Sequence, residues 1–108
     1  ARLSFIRERK LHESIKNRYV LQLYNTFADE NSFYLVLEYC EGGNLRNFMK
    51  NLLSFEEVRN ISLQIAKGIS YLHKNKIVHA DIKPENILLT KEKEVKLCDF
   101  GSAFRLEE

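Results

Sequence analysis

Apolar residues recur along this chain with a helical period in some stretches and a strand-like density in others. Phe5, Glu8, His12 and Ile15 fall at i, i+3, i+7 and i+10, which places them on one face of a first helix, so that face carries a carboxylate. The stretches VLQLYNTF (20–27) and FYLVLEY (33–39) are rich in aromatic and aliphatic residues, and the polar ADENS between them predicts a two-stranded hairpin. Gly42 and Gly43 break the pattern. Leu45, Phe48, Met49 and Leu52 then predict a short amphipathic helix. Ser54 followed three residues later by Glu57 is a capping-box signature for a longer helix, whose apolar stripe is Val58, Ile61, Ile65, Ile69 and Leu72. NILL and VKLC, joined by the charged TKEKE, predict a second hairpin that ends at Asp99. A helix, a hairpin, two helices and another hairpin is an α+β order.

Composition narrows the class of partner. The chain has 108 residues, 44% hydrophobic and 30% charged, with a formal net charge of +2. That is ordinary globular composition for one domain or part of one. So small a charge gives no ground for a nucleic-acid partner or a polybasic membrane surface, and RERK (7–10) is read as a solvated helix face. No apolar stretch is long enough to span a bilayer and the first residues lack the features of a signal peptide, so membrane insertion is not expected and an intracellular location is. Cys40 and Cys98 have no paired spacing to each other or to the histidines, and are read as two reduced thiols rather than a disulfide or a zinc site.

The stretch KIVHADIKPENILL (76–89) gathers an acid, a base and an amide, Asp81, Lys83 and Asn86, into one short loop. A loop that only needed turn residues would not require that combination. His79-Ala80-Asp81, with Asn86 five residues after the aspartate and Asp99-Phe100-Gly101 beyond a hairpin, resembles the catalytic loop and metal-binding loop of eukaryotic protein kinases. The resemblance implies a partial protein-kinase-like two-lobe fold. It implies that Asp81 accepts or orients the proton of an attacking hydroxyl, that Lys83 neutralises charge near the γ-phosphate of ATP, and that Asn86 and Asp99 hold magnesium. It also implies that Gly101 lets the chain turn after the metal ligand and that Phe100 packs beneath the family's helix C.

Upstream, the carboxylate on the first helix falls at Glu8, where the resembled kinases keep the glutamate that pairs with a strand lysine. That lysine, the glycine-rich loop and the activation segment are not among these residues, so the resemblance makes the chain part of a kinase domain. The stretch LVLEYCEGGNL (35–45) resembles the hinge between the lobes. By that resemblance, Leu37 would be the gatekeeper, backbone groups of Glu38 and Cys40 would meet adenine, and Leu88 would form the floor beneath it. The implied division is an N-lobe portion at 1–38, a hinge at 39–44 and a C-lobe portion at 45–108.

Two positions depart from the family pattern. Ala80 replaces the usual arginine, which in the family pairs with a phosphorylated activation loop, and His12 stands at a commonly aliphatic position in the column linking the lobes. Lys83 resembles the serine/threonine group. EYCEGGNL, HADIKPEN and His12 together look like the Wee-type kinases, which act on tyrosine, while CDFGSA is similar to the splicing-associated and glycogen-synthase-type kinases. The expected function is transfer of the γ-phosphate of ATP to a protein hydroxyl, most simply serine or threonine. A pseudokinase scaffold, a tyrosine-directed Wee-type enzyme and a non-enzymatic interaction fragment are the alternatives.

Overall fold

The computed structural model describes residues 2–106. Ala1, Glu107 and Glu108, the ends of the assigned span, lie outside the described residues. The elements run α1 (Arg2–Glu13), β1 (Leu23–Ala28), β2 (Phe33–Leu37), α2 (Leu45–Phe48), α3 (Phe55–Lys74), β3 (Ile77–Val78), a 3₁₀ turn (Pro84–Asn86), β4 (Ile87–Leu89), β5 (Val95–Leu97) and β6 (Phe104–Arg105). Mixed helix and antiparallel hairpins confirm the α+β class.

The capping box forms as the sequence requires. Ser54 Oγ accepts the Glu57 N–H at 3.0 Å, and the Glu57 carboxylate accepts the Ser54 N–H at 2.9 Å. Two otherwise orphaned donors are satisfied, which fixes the start of α3. Ile61 and Leu72 of its stripe are buried and Ile65 and Ile69 pack against the same core, whereas Val58 is exposed. The helix lies close over β5. A Cβ at Gly68 would stand 2.9 Å from Leu97 Cδ1, so a larger residue there would push the helix off the strand. Gln64 Oε1 also accepts the Val95 N–H at 2.9 Å.

β4 and β5 pair antiparallel, with Ile87 opposite Leu97, Leu88 opposite Lys96 and Leu89 opposite Val95. Ile87, Leu89, Val95 and Leu97 are buried, while Leu88 and Lys96 are half-exposed on the other face. Burying side chains of this size contributes roughly 1.5–3 kcal/mol each. The hairpin is therefore a rigid platform with its alternate face open.

Three expectations need correction. Ile15 does not share the face of the first helix, because α1 ends at Glu13; Ser14 Oγ donates back to the Leu11 carbonyl, and Ile15 enters the core from the following turn. Leu52 is outside α2, which is only four residues long, and it is fully exposed. Val20 and Leu21 are not in the first hairpin. They run beside β5 instead, with Val20 bridged in parallel to Leu97 and the Leu21 N–H donating to the Leu97 carbonyl at 2.9 Å.

The β3–β6 pair was not expected. It sets Ile77 opposite Arg105, and Arg105 also donates to the Asn75 carbonyl and to Ser14 Oγ, at 3.1 and 3.0 Å. The segment after Asp99 is thereby tied to the ends of both α1 and α3. Among the described residues, no helix is long and apolar enough to cross a membrane.

Candidate active site

The loop between β3 and β4 is built around His79, which is buried. Its Nε2 lies 2.8 Å from the Cys98 carbonyl, and its Nδ1 lies 3.1 Å from the Asp81 backbone nitrogen. A carbonyl only accepts and an N–H only donates, so the proton sits on Nε2 and both ring nitrogens are satisfied. His79 thus fastens the loop to the end of β5. Between them Ala80 takes φ 69°, a left-handed conformation that costs an L-residue about 1–2 kcal/mol. The chain turns back there, and this aims the Asp81 N–H at the imidazole.

Asp81 is gripped by Asn86. The amide Nδ2 donates to the Asp81 carboxylate Oδ2 and to its backbone carbonyl, both at 3.0 Å. Pro84 opens the 3₁₀ turn that brings Asn86 round, and the Asn86 N–H closes it on the Lys83 carbonyl at 2.9 Å. Lys83 Nζ stands 3.8 Å from Asp81 Oδ1. The acid, the base and the amide are therefore brought together by direct contact. Both side-chain hydrogen bonds of Asn86 are made by its nitrogen, and its side-chain oxygen Oδ1 has no partner among the described residues.

The second loop is joined to the first through β5. The Cys98 N–H donates to the Asn86 carbonyl at 3.0 Å, and Asp99 follows with φ 62°. The turn expected at Gly101 forms over Gly101 and Ser102, closed by the Ala103 N–H donating to the Phe100 carbonyl at 3.1 Å, while the positive φ just before it falls on Asp99. The Gly101 N–H also donates to Asp99 Oδ1 at 3.2 Å, and a Cβ there would lie 3.2 Å from that oxygen and 3.7 Å from Glu8 Oε1. Phe100 is buried between two imidazoles, with ring centroids 4.7 Å from His12 and 4.9 Å from His79. It packs beneath α1.

Glu8 faces this turn from α1. Its carboxyl is raised above the usual range, first by burial and then by the charge of Asp99. Among the described residues no lysine or arginine pairs with either carboxylate.

The segment after β2 approaches β4. The Gly42 N–H donates to the Leu89 carbonyl and the Leu89 N–H to the Gly43 carbonyl, both at 2.8 Å, while Asn44 bridges Leu88. A Cβ at Gly42 would lie 2.5 Å from the Thr90 carbonyl oxygen, so only glycine allows the approach. Leu37 ends β2 partly exposed, Cys40 is buried and Leu88 lies on the open face of the β4–β5 hairpin. A cavity of about 390 Å³ lies elsewhere, against Tyr19, Phe48, Gln64 and Lys93, and includes none of these groups.

The family description "Protein kinase domain" matches residues 2–108. The chain belongs to the protein kinase domain family. It is 43% identical over 101 residues, 92% of this chain, to the 3-phosphoinositide-dependent protein kinase B of Dictyostelium discoideum. It is 41% identical over 102 residues, 92% of the chain, to the serine/threonine-protein kinase PLK4 of Nematostella vectensis. The serine/threonine-protein kinase PKH2 of Saccharomyces cerevisiae matches at 49% over 86 residues, 78% of the chain. These alignments cover 11%, 10% and 8% of the respective relatives, so the chain spans about a tenth of their length.

Within the kinase domain family assignment, sequence reading missed Gln22 and Lys96, which contact Glu38. The only signal for Lys96 was a cation placed between two core positions, Val95 and Leu97.

Proposed function

We propose that this chain is the centre of a protein kinase catalytic domain that transfers the γ-phosphate of ATP to a protein hydroxyl, that of serine or threonine. The observation carrying this reading is the double hydrogen bond from Asn86 to Asp81, made in a loop that His79 and Cys98 fasten to the Asp99 turn. Residues 1–38 form the N-lobe portion, 39–44 the hinge and 45–108 the C-lobe portion.

Adenine enters beside Leu37, meets the backbone carbonyl of Glu38 and N–H of Cys40, and lies over Leu88. Asn86 Oδ1 and the Asp99 carboxylate are hard oxygen donors suited to magnesium. Magnesium, when bound with the nucleotide, neutralises phosphate charge during transfer. Glu8 is left facing Asp99, ready to pair with a cation from the preceding strand.

Asp81 acts on the acceptor. With Oδ2 held by Asn86, Oδ1 is presented beside Lys83 to the incoming hydroxyl. The hydroxyl oxygen bonds to the γ-phosphorus, the bond to the β–γ bridging oxygen breaks, ADP leaves, and the proton passes to Asp81. Lys83 offsets the charge on the transferring group. The serine or threonine preference is supported by relatives whose names state it.

The test is to incubate the full catalytic domain with magnesium, ATP labelled at the γ-position and a mixed Ser/Thr/Tyr peptide library, followed by phosphoamino-acid analysis. Label on serine or threonine is expected. Label on tyrosine alone would overturn the acceptor assignment, and nucleotide binding with no transfer would overturn the activity.

A further inference from the structure

The four ion pairs among the described residues differ sharply in burial. Three are open to water, but Lys96 and Glu38 have side chains only 14% and 22% exposed, with Nζ 3.4 Å from Oε2. Surface pairs contribute little, whereas a pair this shielded holds its two ends in one geometry. Lys96 stands directly across from Leu88 on the open face of the β4–β5 hairpin, and that hairpin is anchored in the core. The other carboxylate oxygen of Glu38 accepts the Gln22 N–H at 3.0 Å, and the Glu38 N–H donates to the Gln22 carbonyl at 2.9 Å.

Glu38 needs these anchors because the ladder has ended. β2 stops at Leu37, Glu38 belongs to no strand, and Tyr39 after it is 84% exposed. The bond from its N–H to Gln22 is the last of the hairpin; its carbonyl has no backbone partner among the described residues, and a hydrogen bond weakens steeply when its donor and acceptor are misaligned.

We propose that Lys96 is a positioning residue for adenine recognition: by holding the Glu38 carboxylate against the β4–β5 platform, it fixes the backbone carbonyl that accepts the 6-amino group of adenine. The inference rests on the hinge reading above. Lys96 acts in this role through Glu38, to which its Nζ is paired at 3.4 Å. It makes the Glu38 peptide rigid before nucleotide arrives, so less ordering remains to be done on binding.

The experiment compares dissociation constants of the full catalytic domain for ADP and for purine riboside 5′-diphosphate, which lacks the 6-amino group. The wild type should favour ADP by about tenfold or more, the scale of one well-made hydrogen bond. Lys96→Met should weaken ADP by roughly 3–10-fold while changing the analogue by less than about twofold, raising KM for ATP with kcat unchanged. Lys96→Arg should keep most of the preference. Glu38→Gln, which leaves the backbone in place, should reproduce the Lys96→Met loss, and the double variant should lose no more than either alone. Equal weakening of both nucleotides, or separate and additive losses, would overturn the positioning role. A wild type without preference for the 6-amino group would remove the hinge reading itself, an outcome visible before any variant is made.

Discussion

Phe100 meets His12 with ring centroids 4.7 Å apart and a 43° tilt, which ties the loop carrying Asp99 to the last turn of α1. The contact is made at a chemical disadvantage. His12 is buried, with Nε2 against the Leu21 carbonyl at 2.6 Å and Nδ1 without a hydrogen-bond partner among the described residues. A leucine would fill such a place without an orphaned nitrogen, but would leave the Leu21 carbonyl bare.

The buried imidazole makes the catalytic domain sensitive to acid. Burial lowers the His12 pKa below 6.5, and the bond to the Leu21 carbonyl opposes this less strongly. Between the folded pKa and 6.5 the unfolded chain holds more protons, so stability rises with pH across that window and is lost as pH falls through it. Thermal midpoints measured at pH 7.5 and 5.5 should fall by a few degrees more in the wild type than in His12→Leu. Equal falls in the two proteins would show that His12 does not titrate on unfolding.

Ala80 bears on regulation. Its φ of 69° already carries the backbone strain that any L-residue would meet there, so Ala80→Arg should leave the thermal midpoint close to that of the wild type. What the methyl group lacks is a donor for a phosphate on the activation segment. The unphosphorylated catalytic domain should retain activity within about tenfold of the phosphorylated form, a comparison made by turnover before and after phosphatase treatment checked by intact mass. A loss of about 10²-fold would show that loop phosphorylation controls the enzyme despite Ala80.

Cys98 offers a probe of occupancy. Strand alternation places it on the Leu88 and Lys96 side of the hairpin, half-buried, with its thiol pushed up to about 11 by burial, then by Asp99 and Cys40. Few thiols are ionised at neutral pH, so alkylation by a small electrophile should be slow and accelerate steadily up to pH 10. ADP with magnesium should slow it further. Identical rates with and without nucleotide, read by peptide mass, would place the thiol away from the base.

Much of this was legible in the residues, and what was not has physical reasons. The capping box of α3 and the alternation of β4 and β5 are local signals, and both elements formed where they were expected. The contact of Asp81 with Lys83 and Asn86 is also local, within one loop. The turn expected at Gly101 is also local and forms there, over Gly101 and Ser102. What the sequence did not show is the positive φ at Asp99, and that a Cβ at Gly101 would press on Asp99 Oδ1 at 3.2 Å. Leu52 was drawn into α2 by its spacing, although nothing lies beside it to bury it. The Lys96 to Glu38 pair joins residues far apart in sequence, and it forms where Leu21 pairs with Leu97 and Gln22 with Glu38.

The central claim is that Asp81, held by Asn86, receives the hydroxyl proton without taking part in nucleotide binding. Asp81→Asn keeps the size of the side chain and removes its basicity. In the full catalytic domain, ADP affinity measured calorimetrically should stay within about threefold of wild type, while the single-turnover rate of phosphoryl transfer falls by about 10²-fold or more. A variant that binds ADP normally and transfers phosphate at the wild-type rate would contradict the account.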